Sequence, residues 1–360
     1  MTRFRIRRME PADEAPFNDI YNRLVAGRRS ERSIEVMRRI WHDGPGGPVR
    51  SWIAEARTSS GEWKIVAHHG LCPIRYTMAA EEFIFAKTVN SFLLPEFSDK
   101  FLYLRFEQRC LAEIEGVFDA TYTLTPKAAR IRAALGYDTS VLELDFERGL
   151  QPVEIASRIL IRLANRYAGS RIPEAARQWG AFFSRGESKI LPEEMNVAAA
   201  LSSPFFDTFW AEARLSAGLA PRRDAADLAW RFWNMPGHYT TLTYSWPDAT
   251  RAYGVINRGS PLHFTLEDIC MSRPQPELFR EFLEGIFAWS RRKGALMVSF
   301  MTTSDGHPPD VLKIYQDSMG KSLSRKYRDS HMSRRLTIRG RQRFGDSWPP
   351  CNVTPIIAMA

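Results

Sequence analysis

Carboxyl and imidazole side chains stand at three places in this chain where they could move a proton. Glu55 ends one strand-like run, and the adjacent pair Glu267-Asp268 lies within another. His68 and His69 are adjacent in a third run. Such groups act as general acids or bases when they lie within hydrogen-bond reach of the reacting proton, and at most one of two neighbouring strand residues can enter a site. A solvated carboxylate and a core histidine are the alternative interpretations.

Several other chemistries are excluded by the motifs. The glycine-rich segment 44–48 has no following Lys-Ser/Thr pair, so it predicts a turn and not a phosphate-binding P-loop. The segment 345–347 lacks the sequence around it that a serine hydrolase needs. The cysteines are far apart, which argues against a zinc ribbon and predicts reduced thiols in a cytoplasmic protein with no metal site. They are Cys72, Cys110, Cys270 and Cys351.

Length and composition bound the class of protein. With 360 residues, 44% of them hydrophobic and 25% charged, the chain is expected to form about two globular domains. No run approaches the roughly 18 apolar residues of a membrane-spanning helix. The basic N-terminus is followed by no apolar stretch, so no signal peptide is predicted.

The net charge of +9 is concentrated near the C-terminus. The basic run Lys321–Arg343 has nine Lys and Arg residues against one acidic residue, so the rest of the chain is nearly neutral. The run could be the solvated face of a final strand pair, attract an anionic substrate, or bind nucleic acid. The alternation in Arg335–Arg339 favours the solvated strand face, and the lack of interleaved aromatic residues argues against a nucleic-acid partner.

The elements that would position these residues occur in two similar successions. The first half has the order β-α-α-β-β-β-α-β-α-β. Its strands are predicted at 4–8, 49–56, 63–71, 83–94, 117–124 and 141–146, with helices from 11, from 30, over 101–114 and over 126–135.

The second succession follows a mostly helical connector. Strands at 240–244, 251–257 and 262–271 precede a helix from about 276, a strand over 295–301, a helix over 310–319 and a basic strand pair. The repeated order indicates a duplication at the level of fold. The predicted units are an N-terminal domain (1–146), a connector (147–225), a C-terminal domain (226–343) and a tail (344–360).

Three segments of the first half resemble the GNAT superfamily of N-acetyltransferases. They are Ile6–Asp13, Phe83–Pro95 and Thr125–Tyr137, at the positions of the family's first strand, fourth strand and closing helix. Trp230–Trp233 and Leu312–Gly320 resemble the second unit of tandem members. The resemblance implies an α/β fold with two GNAT-like units, whose mixed sheets are flanked by helices and joined by the connector.

The resemblance also implies a reaction. It would be direct transfer of an acyl group from acetyl-CoA or another acyl-CoA to a small-molecule amine. Backbone groups of a splayed fourth strand and the following helix N-terminus would hold the acyl-CoA, which places its binding at Leu93, Leu94, Ser98, Lys100 and Phe101. Glu55 and Glu267 would be candidate bases, and Tyr315 would protonate the leaving thiolate.

The sequence departs from the family pattern at its phosphate-binding loops. The segment 96–102 has no glycine, Arg132 stands where the family often has a tyrosine, and Arg273–Pro276 replaces the second loop. Two alternatives therefore stay open. One is a non-catalytic binding protein on a degenerate GNAT scaffold. The other is an aminoacyl transferase similar to the Fem enzymes, which use charged tRNA, and the basic run supports it.

Overall fold

The structure is a computed structural model that describes residues 4–25, 32–97, 100–123, 129–150, 188–233, 239–259, 262–303, 313–314, 317 and 331–345. Its strands are β1 Phe4–Arg8, β2 Arg50–Arg57, β3 Trp63–Met78, β4 Glu81–Leu93, β5 Ala120–Thr123, β6 Asp138–Gly149, β7 Glu193–Met195, β8 Ala220–Pro221, β9 Tyr239–Ser245, β10 Arg251–Asn257, β11 His263–Met271, β12 Met297–Thr303 and β13 His331–Leu336.

The helices flank these strands. They are α1 Glu14–Val25, α2 Ile34–His42, α3 Lys100–Ala112, α4 Ala129–Ala134, α5 Val197–Ser202, α6 Phe205–Ala213, α7 Ala225–Leu228, α8 Pro276–Arg292 and α9 Ile338–Phe344, with a π-helical turn over Ala229–Trp233. Among the described residues, no helix is long and apolar enough to cross a membrane.

The strands follow one continuous hydrogen-bonded path. Its order is β1-β2-β3-β4-β5-β13-β6-β12-β11-β10-β9-β7, and β8 pairs with β3. Two neighbouring pairs are parallel, β4 with β5 and β11 with β12, and the other pairings are antiparallel. The path divides into two similar series, each with antiparallel strands leading to one parallel pair.

The two halves exchange their last strands. Strand β13, from the end of the chain, lies between β5 and β6, with Leu336 opposite Ala120. Strand β6, from the first half of the sequence, pairs with β12, with Phe146 opposite Phe300. The predicted domain boundaries stay a prediction, but each series is completed by a strand that the sequence order assigns to the other.

Apolar side chains cover both faces of the first series. Phe17 of α1 and Trp41 of α2 pack with their ring centroids 5.1 Å apart on the face that carries Phe85. On the opposite face, Phe106 of α3 packs in a cluster with Trp52. Alternation along the strands sends successive side chains to these two clusters, which explains why β2, β3 and β4 contain so many buried residues.

Helix α8 supplies the core of the second series. Pro276 begins it, where the missing N–H costs no hydrogen bond, and Phe282, Leu283 and Ile286 are buried against the sheet at the spacing of one helix face. The predicted helix from about residue 276 is therefore confirmed.

Other predictions need correction. Strand β3 continues to Met78, seven residues beyond the expected end at Leu71, because its second part pairs with β4. The strand expected over 335–339 stops at Leu336, since the Thr337 side chain caps helix α9 by accepting a bond from Gly340 N. The described part of the connector, from residue 188, carries β7 and β8 beside its helices. The helix expected over 310–319 lies largely outside the described residues.

The arginines in the described part of the basic run do not form a solvated strand face. Arg334 pairs with Asp138 (3.0 Å) and Arg335 with Glu115 (2.5 Å). Arg339 and Arg343 both reach the buried carboxylate of Asp119 at 3.0 and 3.3 Å. These guanidinium groups hold β13 and α9 to the first half, so they give no support to an RNA-binding role.

Candidate active site

Strands β4 and β5 run together only briefly before their ladder ends. They pair from Phe85 opposite Ala120 to Lys87 opposite Tyr122. Strand β4 then continues to Leu93 beside β3, with an irregularity in register between His68 and Gly70. Asn90 adopts a left-handed conformation (φ 52°) there, as expected at a β-bulge. In the described part of the chain, the edge of β4 beyond Lys87 is not in the β5 ladder.

Two buried histidines support this bulge. His68 Nδ1 lies 2.9 Å from the carbonyl oxygen of Asn90, and His69 Nδ1 lies 3.2 Å from Ser91 Oγ. Burial lowers the pKa of each imidazole to about 3, so both are neutral at physiological pH. As neutral rings without a carboxylate partner, they position the strand and do not form a charged catalytic pair.

The second parallel pair diverges in the same way. Strands β11 and β12 pair from His263 opposite Met297 to Leu266 opposite Phe300. The pairing of β11 with β10 then skips Glu267, because Val255 is opposite Asp268 while Ile256 is opposite Leu266. Glu267 is therefore the extra residue of a bulge, placed where β11 leaves β12. Bulges commonly re-aim a side chain beside a site.

The Glu267 carboxyl is buried and only half bonded. Its Oε1 accepts a bond from Asn257 Nδ2 (3.0 Å), while Oε2 has no hydrogen-bond partner among the residues that the structure describes. Burial raises the pKa of Glu267, and this exceeds the lowering by Asn257 and by the nearby Lys87 and Arg231. A carboxylate with a raised pKa and a free oxygen is suited to accept a proton near neutral pH.

The two parallel pairs approach one another, although they lie far apart along the sheet. Lys87, on β4, is close enough to Glu267 on β11 to act on its ionisation. The turn at Gly44–Gly47 packs against Trp230 of the π-helical turn, where a Cβ on Gly44 would lie 3.1 Å from the indole. Both halves therefore contribute side chains to one buried junction, formed by β4, β11 and the π-helical turn, for which we use the name cleft.

An ion network fastens the halves beside this cleft. Arg75 of β3 donates to both carboxylate oxygens of Asp227, at 2.5 and 3.3 Å, and lies 3.5 Å from Asp224. Arg222 bonds Asp224 and Glu82. A bidentate arginine–carboxylate pair fixes orientation as well as distance, so the relative placement of β3 and α7 is well defined.

Next to Glu267 on β11, Asp268 is the centre of a second buried cluster. Its carboxylate accepts bonds from Arg223 Nε at 3.2 Å and from the Tyr253 hydroxyl at 2.8 Å. Arg231 Nη1 lies 3.4 Å from Asp268 Oδ2. The bulge places Glu267 and Asp268 on the same face of β11, because Leu266 before them and Ile269 after them both pack in the cluster of the opposite face. The strict alternation expected from the sequence is therefore interrupted at this pair, and Glu267 bonds Asn257 while Asp268 bonds Tyr253.

The helices that follow the two bulged strands begin differently. Helix α3 starts at Lys100 and has no acidic residue in its first turn, whereas α8 starts with Pro276 and Glu277. Proline offers no N–H and glutamate opposes a phosphate, so α3 has the better helix end for an anion. Of the residues predicted to bind acyl-CoA, Leu93 ends β4 and Leu94 follows it, donating its N–H to Val66 O (2.9 Å).

The other three predicted acyl-CoA contacts are only partly visible. Lys100 and Phe101 begin α3, and their side chains lie outside the described part. Ser98 lies outside the described residues altogether. The placement of all five contacts stays a prediction.

Glu55 and Tyr315 are not brought to the cleft by the described structure. Both oxygens of Glu55 accept bonds from Arg5 and Arg7, at 2.6–3.2 Å. Burial opposes ionisation, but these bonds outweigh it and lower the pKa of Glu55. Glu55 thus links β1 to β2 through these ion pairs, and neither of its oxygens is free to take a substrate proton. Tyr315 lies outside the described residues.

Sequence reasoning missed Lys87 and Arg231, the two cations near Glu267. Lys87 is a single charge in an apolar run, and Arg231 is a single charge within Ala-Trp-Arg-Phe-Trp. A single charged residue within an apolar segment could have indicated both positions, because Lys and Arg are seldom buried without a partner. Arg132, at the family's tyrosine position, pairs with buried Glu107 (2.8 Å) and has a structural role.

Comparison with known proteins gives structural relatives only. No protein-family model matches the chain, and no curated protein sequence matches it. A probable N-acyltransferase of unknown function from Enterococcus faecalis V583 superposes with a TM-score of 0.60 at 11% identity, covering 94% of this chain and 74% of that one. A GCN5-related N-acetyltransferase from Anabaena variabilis gives 0.55 at 14% identity, covering 93% and 73%.

A third solved structure shares the fold. The N-myristoyltransferase of Saccharomyces cerevisiae, with bound myristoyl-CoA, gives a TM-score of 0.53 at 9% identity, covering 93% of this chain and 82% of that one. At such low sequence identities, these superpositions establish a shared fold and nothing further. The resemblance drawn from the sequence is confirmed at that level: the chain has the mixed α/β fold of the GCN5-related N-acetyltransferases and of N-myristoyltransferase.

Proposed function

We propose that this protein is an acyl-CoA-dependent N-acyltransferase that acts on a small-molecule amine. The observation that carries the proposal is Glu267, a buried carboxyl with one free oxygen at the bulge where β11 leaves β12. A bulged, diverging parallel strand leaves backbone groups for a ligand, and the carboxyl supplies a base beside it.

The acyl-CoA belongs to the first half in this proposal. The edge of β4 from Thr88 to Leu93 has left the β5 ladder, so its backbone can bond the amide groups of the pantetheine arm. The start of α3, with Lys100 and no first-turn acid, offers N–H groups and positive charge to the pyrophosphate. The start of α8, with Pro276 and Glu277, offers neither.

The second half supplies the base. The neutral amine attacks through its nitrogen lone pair, and Glu267 Oε2 takes a proton from that nitrogen as it bonds to the thioester carbon. The carbon–sulfur bond then breaks, and the CoA thiolate leaves and takes up a proton from solvent. Because burial raises the pKa of Glu267, this carboxylate is a stronger base than a solvated one, which favours its taking the proton of the amine.

Release of free CoA thiol in the presence of an amine panel tests the proposal. The wild-type protein should release thiol faster with an acceptable amine than without one. Glu267→Gln should lower kcat/KM about 10²- to 10⁴-fold, the range for loss of a general base. Glu193→Gln, on the exposed β7, is the matched control and should leave the rate unchanged.

Two results would count against this function. No thiol release with acetyl-CoA or longer acyl-CoAs and any amine would favour the non-catalytic binding protein. Full activity in Glu267→Gln would remove the proposed base, and the second half would then have no assigned part in the chemistry.

A further inference from the structure

Arg231 is a fully buried cation whose hydrogen-bonding groups are unused. Only 1% of its surface is exposed, and within the described part of the chain Nε, Nη1 and Nη2 have no hydrogen-bond partner. Its guanidinium lies over the Phe232 ring (4.8 Å), and Asp268 lies 3.4 Å from Nη1 without bonding geometry. A buried donor left unpaired destabilises a fold, and a charged donor does so more strongly, so an unpaired guanidinium is retained where it has a ligand to bind.

The acid nearest to Arg231 does not supply that explanation. Asp268 already accepts bonds from Arg223, from the Tyr253 hydroxyl and from the N–H of Ile269. Its charge is therefore shared between two buried guanidinium groups.

The place of Arg231 in the chain gives a second, independent pointer. It sits in the π-helical turn Ala229–Trp233, and such turns are rare and concentrate at functional sites. The neighbouring Trp230 also has a buried indole N–H without a partner, and Glu267 Oε2 is unpartnered as well. Unused donors and an unused acceptor thus occur together on the two elements that flank the cleft.

We infer that Arg231 binds a carboxylate of the acceptor, so that the acceptor is an amine carrying an acid group, such as an amino acid. This inference rests on the proposed acyltransferase function. The planar guanidinium offers paired N–H groups that match a carboxylate, and Glu267 lies close enough to receive the proton of the same molecule's amine. One face of the cleft would then recognise both ends of the acceptor.

The burial of Arg231 requires a local opening of the structure before the acceptor can bind. The guanidinium of Arg231 has almost no contact with solvent. The acceptor must therefore open the contacts around the π-helical turn and then replace them, forming charge-assisted bonds in a site from which water is excluded. Such bonds are about twice as strong as neutral ones, which gives the acid group a large share of the binding free energy.

The test compares amino acids with their primary amides, which keep size and the amine but lose the charge. Calorimetry without acyl-CoA and thiol-release kinetics with acyl-CoA are both run on the wild type, on Arg231→Lys and on Arg292→Lys, an exposed control at the end of α8. The wild type and Arg292→Lys should prefer the acid at least tenfold in both assays. In Arg231→Lys the preference should fall at least tenfold, with little change for amides.

Aminophosphonate analogues identify the anion, and the two assays separate the two proposals. Preference for the aminophosphonate over the amino acid, or equal treatment of acid and amide by the wild type, would overturn the inference. A preference that survives in Arg231→Lys would overturn it too, since a merely structural arginine alters stability and not the acid-to-amide ratio. Acid-selective binding without any turnover would uphold the Arg231 site and refute the acyltransferase.

Discussion

The two bulged strands of this protein share a backbone design but carry different chemistry. In β4 the bulge residue is Asn90, whose carbonyl accepts from a neutral histidine beneath it. In β11 the bulge residue is Glu267, whose buried carboxyl bonds Asn257 through one oxygen and has no partner for the other among the described residues. The first half thus offers backbone at its divergence, and the second half offers an ionisable side chain.

The helices that follow these two strands also differ in the charge of their first turns. Helix α3 begins with a cation and α8 with a proline and an acid. A duplicated fold could keep two complete sites, whereas in the function proposed above the features of one site are divided between the two series. The strand exchange through β13 and β6 makes this division workable, because it fixes the two series within one sheet path.

The largest expected effect comes from breaking the cluster behind the second bulge. Asp268→Asn would leave the buried guanidinium groups of Arg223 and Arg231 without a counter-charge. We expect a loss of about 3–5 kcal/mol in the free energy of unfolding, as for other buried pairs that lose one partner. Urea denaturation of Asp268→Asn against Asp43→Asn, an exposed control, measures it. A loss below ~1 kcal/mol would contradict this expectation, because it would mean that solvent or other acidic groups compensate the two guanidinium charges.

The pH dependence of turnover distinguishes the two halves by their titratable groups. Glu267 must be ionised to accept a proton, so kcat/KM should fall about tenfold per pH unit below its pKa. Because that pKa is raised, the fall should begin at a higher pH than for a solvated glutamate. The buried histidines should contribute no inflection near pH 6.5, since burial lowers their pKa to about 3.

The same profile in Glu267→Gln provides the control. Any residual activity should lose the acidic limb. If the limb persists unchanged, a group other than Glu267 is the base, and the contrast between the two bulges would have no bearing on the chemistry.

A smaller effect should follow from changing the helix ends. Lys100→Ala should raise the KM for acyl-CoA several-fold, because it removes a charge-assisted bond to phosphate, and one such bond to a charged group contributes about 1.5 kcal/mol or more. Glu277→Ala, at the corresponding place in the second half, should leave that KM unchanged. Steady-state kinetics at saturating amine compares the two, and a larger effect from Glu277→Ala would move the acyl-CoA to the second half.

The sequence predicted the repeated elements well because they depend on local patterns. The helices begin at capping residues or prolines, and β10 has the predicted bounds of Arg251–Asn257. Glu267 was among the predicted site residues because the superfamily resemblance marks β11 as a fourth strand. Its free oxygen and raised pKa, however, depend on burial and on Asn257, and neither can be derived from its neighbours in sequence.

The features that the sequence did not predict are all long-range. Glu55 lies on a strand that packs beside Arg5 and Arg7, and only the pairing of β1 with β2 places both arginines on its carboxyl. The exchange of β13 and β6 joins residues nearly 200 positions apart. Alternation indicates that a segment can be a strand, but the choice of partner depends on which edge is left open by the rest of the chain.

The smallest predicted effect concerns the ion pairs that hold the exchanged strand. Arg339 donates to Asp119 Oδ1 (3.0 Å) but is 41% exposed, and Arg343 also reaches that oxygen at 3.3 Å. Solvent screening and the second arginine limit the loss in Arg339→Ala to about 0.5–1 kcal/mol.

Asp119 itself is buried and also accepts a bond from Ile84 N (2.7 Å), so Asp119→Ala should cost more than Arg339→Ala. Urea denaturation followed by tryptophan fluorescence measures both, with Arg292→Ala as an exposed control. Because β13 lies between β5 and β6 and β6 pairs with β12, all variants should still unfold in one transition. A separate early transition in Arg339→Ala would show that the two series are coupled by these arginines more than by the strand ladders.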